Sequence, residues 1–282
     1  MEQYRTIVVD AQEAVARVTP NRPERRNALN DIMAADLERV FDRFKQDASL
    51  RLVVLTGNGP AFCAGADLHW LQAQGLATEE QATADALQLA AMFRAVEDCP
   101  CPVIGLVQGP AFGGGVGLMA ACDIVVAAEG ATFTLSETAL GLVPAIIAPL
   151  LLRKAGESFF RRYVLTGEPF DARAAQRFGL VHEVLPREAL DQRERDLTER
   201  ILRLAPGATR ASKSLLRRLL PLREEDRLAP SIQANVAARG TREAEEGLRA
   251  FLAKRAPRWI EREGRQAAQG AQEMHDAAAQ QP

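Results

Sequence analysis

The segment at residues 102–124, PVIGLVQGPAFGGGVGLMAACDI, constrains the fold of this chain more than any other. It opens with a short apolar run at 103–107, the pattern of a buried strand. The chain then breaks at Gly109-Pro110 and passes through Gly113, Gly114 and Gly115. Small and apolar residues continue to Ala121, enough for two turns of helix. A strand feeding a glycine-rich turn that opens a helix presents unpaired backbone N–H groups at the positive end of the helix dipole. A bound phosphate suits such a place, and so does an oxyanion formed during a reaction. Glycines that merely permit close packing are the plainer alternative. No Lys follows the glycines, so the Walker phosphate loop is absent. Gly115, Gly117 and Ala120 satisfy a relaxed G-x-G-x-x-A dinucleotide pattern, but they come late after the strand. The acid at a suitable distance, Glu137, falls in a loop, which makes a nicotinamide-dependent dehydrogenase the weaker rival.

The flanking pattern places this unit in an α/β sheet. Residues 4–9 and 13–19 read as two strands of a hairpin joined through Asp10-Ala11-Gln12. Asp31 can cap a helix that carries Met33, Leu37, Val40, Phe41 and Phe44 on one face. Residues 52–55 form a buried strand, and Thr78 with Gln81 makes a capping box for a helix reaching about Glu97. Strands at 124–128 and 132–135 lead to the loop SETALGLVP, where Pro144 suits the first turn of a helix running into Leu152. Such alternation of strand and helix implies parallel crossovers. Asp171 caps a short helix ended by Gly179, and 181–185 is the last strand-like piece. From Arg187 the periodicity is only helical, through Leu190, Leu197, Ile201 and Leu204. Residues 264–282 lack an apolar period and read as a disordered tail.

Composition removes whole classes of function. With 47% hydrophobic residues, 26% charged and a net charge of -2, the chain is that of a soluble globular protein. No long basic run advertises nucleic acid, and charges interrupt every apolar run before it reaches the length of a membrane span. The N-terminal MEQYRTIVVD has no signal-peptide core, so a cytoplasmic protein is expected. Cys63, Cys99, Cys101 and Cys122 form no C-x-x-C pair, and neither a metal nor a separate cofactor is expected.

Four ordered pieces carry a resemblance: NRPERRNAL at 21–29, AFCAGADL at 61–68, GPAFGGGVGLMAACDI at 109–124 and TFTLSETALGLVP at 132–144. Together they resemble the crotonase family, the enoyl-CoA hydratase/isomerase superfamily, over roughly residues 1–260. The resemblance implies an α/β fold with a β-β-α spiral core at 1–200 that holds an acyl-CoA site. It implies a helical trimerisation region at 201–260, ahead of the tail at 261–282, and self-assembly as a trimer or a dimer of trimers. Carried over by residue, the N–H groups of Ala66 and Gly114 would form an oxyanion hole for the thioester oxygen, and Glu137 would be the catalytic acid–base. Arg25, Arg26 and Ala28 would border the CoA, with Ala64, Asp67 and Leu68 along the thioester arm. His69, which follows the turn, reads either as facing the acyl pocket or as a structural, solvent-facing residue at a helix start. The late segment EGLRAFLAKR would bring Phe251 and Lys254 to CoA, often that of a neighbouring subunit.

One departure is informative. Two-glutamate hydratases of the family have a carboxylate where this chain has Gly117, and a single glutamate also suits isomerases. GGGVGL followed by LGLVPAIIAPLLLR resembles a bacterial subgroup acting on methylglutaconyl-CoA and isohexenylglutaconyl-CoA. Gly117 is then expected to leave room for a branched acyl group. Hydration is the leading expectation, double-bond isomerisation the second, and a non-catalytic acyl-CoA- or RNA-binding relative the third.

Overall fold

A computed structural model describes residues 3–74 and 78–260, and the tail at 264–282 lies outside them. The chain divides into two compact units, Met1–Asp196 and Leu197–Pro282. In the first, β1 (Ile7–Gln12) and β2 (Val15–Pro20) form the antiparallel hairpin. Its turn falls at Glu13-Ala14 instead of residues 10–12. Gln12 pairs with Val15, and Glu13 takes the left-handed φ of 52° that a tight turn needs. This register puts Ala16 and Val18 fully into the core.

Helix α1 (Asp31–Gln46) is capped by Asn30, whose side chain accepts from Met33 N at 3.0 Å. Asp31 is instead its first residue, where a negative charge meets the positive end of the dipole. Next come β3 (Leu52–Thr56), α2 (Leu68–Gln74) and α3 (Glu79–Glu97), the last opened by the expected Thr78–Gln81 capping box. Then follow β4 (Val103–Val107), β5 (Ala111–Phe112), α4 (Gly114–Ala121), β6 (Ile124–Ala128) and β7 (Thr132–Thr134). The unit continues through α5 (Ala148–Thr166), β8 (Phe170–Asp171), α6 (Ala172–Arg177) and β9 (Glu183–Leu185). Six strands form the main sheet in the order β1-β2-β3-β4-β6-β9, parallel throughout beyond the hairpin. Every residue of β3 and β4 is buried, as continuous apolar strands covered on both faces must be.

A second, three-stranded sheet positions the chemistry. Its order is β5-β7-β8, and it rests on an aromatic cluster. The Phe133 and Phe170 rings lie 5.5 Å apart, and Phe159 meets Phe170 edge-on at 5.2 Å. Phe159 comes from α5, which starts at Ala148 and not at Pro144. The Pro144 carbonyl accepts the Ala148 N–H at 2.9 Å, so Pro144 ends the approach to the helix without belonging to it.

In the second unit, where α7 (Leu190–Leu202) ends, the elements are α8 (Pro206–Leu219), α9 (Leu228–Arg239) and α10 (Arg242–Leu252). The Glu243 carboxylate accepts from Gly207 N at 2.9 Å and Ala208 N at 2.7 Å, capping the start of α8. Among the described residues no helix is long and apolar enough to cross a membrane.

Candidate active site

Two turns meet at the site. The first, residues 63–67, runs beside the segment 26–29: Leu29 N donates to Gly65 O at 2.7 Å, Asp67 N to Leu29 O at 2.7 Å and Ala64 N to Arg26 O at 2.9 Å. Backbone groups of successive extended residues alternate in direction. With residues 65 and 67 bonded to Leu29, the Ala66 N–H is left facing the opposite way. The second turn, residues 113–115, opens α4. Among the described residues, neither the Ala66 N–H nor the Gly114 N–H has a protein acceptor. Gly65 has φ +78°, and a Cβ there would lie 2.6 Å from Phe112 O and 3.4 Å from Gly114 N. Only glycine lets the two turns approach this closely.

Glu137 stands over the second turn. A Cβ on Gly113 would lie 2.7 Å from its Oε1, so the carboxylate rests on the bare backbone of the residue preceding Gly114. The small sheet brings this about: Gly113 N donates to Thr134 O at 2.9 Å, and Glu137 follows three residues later. The Glu137 carbonyl accepts from Leu140 N at 3.0 Å and Leu142 N at 2.8 Å, closing a tight loop that fixes its backbone. Oε2 is buried with no hydrogen-bond partner among the described residues. Burial pushes the Glu137 carboxyl above the ordinary carboxylate range, only partly offset by its own backbone N–H. A carboxylate raised toward neutrality beside two unsatisfied N–H donors can exchange a proton while the donors hold a developing negative oxygen.

A sequence model of the family described as Enoyl-CoA hydratase/isomerase matches residues 10–262. The chain belongs to the enoyl-CoA hydratase/isomerase family. A 2,3-dehydroadipyl-CoA hydratase of Escherichia coli strain K12 is 36% identical over 252 residues, covering 89% of this chain and 97% of that protein. The crystal structure of an enoyl-CoA hydratase from Shewanella pealeana superposes with a TM-score of 0.87 at 35% identity, covering 91% of this chain and 97% of the other. Pseudomonas aeruginosa AtuE does so with a TM-score of 0.87 at 35% identity, covering 91% and 100%. The α/β crotonase fold with a C-terminal helical region follows from these matches.

Within this family fold, the remaining expected residues sort by position. Arg25 and Arg26, at the start of the 26–29 segment, are exposed, while Ala28 within it is buried. Leu68 and His69 are exposed at the start of α2. The Asp67 carboxylate is buried and engaged, with Arg22 Nη2 at 2.9 Å and His69 N at 3.1 Å. Cys63 is fully buried, and burial pushes its thiol up to about 12, which leaves it a packing residue. Phe251 and exposed Lys254 belong to the second unit, where Phe251 is 81% exposed.

Gly117 requires a correction. A Cβ there would run into Ile147 Cγ2 and lie 3.0 Å from Phe93 Cε1. Both side chains are buried, so the glycine accommodates Ile147 and leaves no space for a branched acyl group. Arg22, Phe93 and Ile147 escaped the sequence argument. An Arg before a Pro in a polar loop carries no local signal of burial, nor does the register in which Ile147 meets α4.

Proposed function

We propose that this chain adds water across the C2–C3 double bond of an enoyl-CoA thioester, with a branched acyl group of the methylglutaconyl or isohexenylglutaconyl type preferred. The observation that carries the hydration is the buried, unpartnered Glu137 Oε2 against Gly113, the residue before the unpaired Gly114 N–H. In this mechanism Glu137 takes a proton from water as the oxygen bonds to C3. The electron pair of the double bond shifts toward the thioester, and the resulting enolate oxygen is held by the Ala66 and Gly114 N–H groups. Glu137 then returns the proton to C2, so both new bonds form on one face. Removing one such oxyanion donor typically costs about 10²–10³ in rate. The E. coli relative, named for a 2,3-dehydroadipyl thioester, supports hydration within this family. With Gly117 closed by Ile147, the branch is assigned to the side of exposed Leu140, Leu142 and Val143, which follow Glu137.

Arg25, Arg26 and Ala28 border the CoA in this proposal, and Phe251 and Lys254 meet the CoA of a neighbouring copy. A second reading has one observation in its favour. Ile147 and Phe93 occupy the place beside Gly117 where a second acid would stand, and a single carboxylate suffices to move a proton from C2 to C4 of a 3-enoyl thioester. Absorbance of the conjugated thioester separates the two. A hydratase consumes it from crotonyl-CoA and 3-methylglutaconyl-CoA, whereas an isomerase creates it from a 3-enoyl-CoA. Glu137→Gln lowers turnover by about 10²–10⁴, the worth of a positioned acid–base group. Activity within a few-fold of wild type removes Glu137 from the mechanism.

A further inference from the structure

Asp67 adjoins the Ala66 donor, and its side chain is buried. Side-chain exposure is 9% for Asp67 and 17% for Arg22, so their ion pair is largely withdrawn from water. Both oxygens are committed. Oδ2 meets Arg22 Nη2 at 2.9 Å, and Oδ1 accepts from His69 N at 3.1 Å at the start of α2. Arg22 reaches further: its Nη1 donates to Ala28 O at 2.6 Å, and its backbone N–H donates to Asn27 Oδ1 at 2.9 Å. Asn27 is itself fully buried, and its Nδ2 donates to Asn58 O at 2.8 Å and Ala61 O at 2.9 Å. The result is a closed ring of contacts. It runs from Asp67 through Arg22 to residues 27–29, and back by the Leu29 bonds to Gly65 and Asp67. Within the turn the Ala64 and Asp67 N–H groups are bonded to residues 26–29, while the Ala66 N–H has no protein acceptor among the described residues.

We propose that Arg22 and Asp67 are positioning residues whose ion pair fixes the direction of the Ala66 N–H toward the thioester oxygen. The proposal rests on the assignment of Ala66 to the oxyanion hole. Its physical basis is that an oxyanion donor works by being aimed before the charge appears, with no reorganisation when it does. A buried carboxylate that also caps α2 holds the turn from one side. A guanidinium fork bonded to both Asp67 and Ala28 holds it from the other, a geometry that an ammonium group cannot reproduce. Burial alone would raise the Asp67 carboxyl, but the hydrogen bonds from Arg22, Trp70 N and His69 N outweigh it and hold the group ionised, below the ordinary carboxylate range.

The test uses Asp67→Asn, which keeps shape and a capping oxygen, together with Arg22→Lys and Arg22→Ala in the full-length chain. Crotonyl-CoA gives kcat and KM. A push–pull cinnamoyl thioester of CoA, whose absorbance moves to longer wavelength as its carbonyl is polarised, reports the oxyanion hole directly. Misaiming of this kind costs up to about 10² in rate. Asp67→Asn and Arg22→Ala are therefore expected to lower kcat by about 10–100-fold with KM within about threefold, and to shrink the red shift of the bound probe. Arg22→Lys is expected to fall between Arg22→Ala and wild type. Variants that melt at lower temperature yet keep both kcat and the probe shift overturn the proposal and leave the pair purely structural. A rise in KM alone overturns it in favour of direct ligand contact by Asp67. If Arg22→Ala does not fold, the near-isosteric Asp67→Asn decides by the same two measurements. Wild-type protein that fails to shift the probe at all overturns the underlying oxyanion assignment, a result distinct from wild type and variants shifting it equally.

Discussion

The two units of the chain treat their apolar residues in opposite ways. In the first, Phe41, Phe133, Phe159 and all of β3 and β4 are withdrawn from water, and the core closes on itself. In the second, α8 and α9 bury no residue within the chain and α10 buries only Ala250. Leu228, Ile232 and Val236 recur every fourth residue along α9, all exposed, and Leu248, Phe251 and Leu252, at i, i+3 and i+4, are exposed at the end of α10. An amphipathic period states that a helix needs a partner, and leaves open which chain supplies it. Large apolar side chains left exposed at helical spacing call for a covering partner, and we propose that a second copy of this chain supplies it.

The contrast can be broken most directly in the core. Phe133→Ala is expected to cost about 3–5 kcal/mol in urea unfolding, independent of protein concentration. Phe251→Ala is expected to cost little in dilute protein and more as concentration rises. A loss of the same size at every dilution would make the second unit a closed core like the first. Next in size is Ile232→Glu, which removes an apolar contact worth about 1.5–3 kcal/mol when buried. Sedimentation should shift toward the single chain while far-ultraviolet circular dichroism stays that of wild type.

Gly117→Ala sharpens the description of the first unit through its sign. Open space would make the change stabilising by about 0.5–1 kcal/mol, because Gly is a poor helix residue. With Ile147 and Phe93 against Gly117, it is instead expected to destabilise by about 1–3 kcal/mol, and Ile147→Val should recover part of the loss. The smallest effect concerns pH. The Glu137 carboxyl lies above its unfolded value, so below the ordinary carboxylate range both states are protonated and the folded state carries no penalty. As pH rises through the raised value the buried group must ionise, and stability is lost. Glu137→Gln should therefore raise Tm at pH 8 relative to wild type and leave it unchanged at pH 3, below the ordinary carboxylate range. A Tm difference that is the same at both pH values would mean that the carboxylate is not desolvated.

Much of the first unit was legible locally. The Thr78–Gln81 box, the Asp171 cap (Ala174 N to Oδ1 at 2.6 Å) and the start of α4 at Gly114 each depend on residues within a few positions of one another. Near-local choices failed where two candidates lay side by side. Asn30 was preferred over Asp31 as a cap, and the hairpin turn slid to Glu13 because strand pairing, which spans both strands, sets the register.

The site divides along the same line. Residue order alone supplied the glycine turn, the unpaired donors at a helix start and, through the family motifs, the candidates Ala66, Gly114 and Glu137. A loop carboxylate is ordinarily solvated, so its sequence neighbours could not indicate that Glu137 would be buried without a partner. Desolvation depends on β5 pairing with β7, which lays Gly113 beneath the carboxylate. Arg22 reaches Asp67 across 45 positions, and Ile147 closes over a glycine in another helix. Burial, ion pairing and close packing between distant segments are properties of the folded chain, because each requires surfaces that the sequence brings together only in three dimensions.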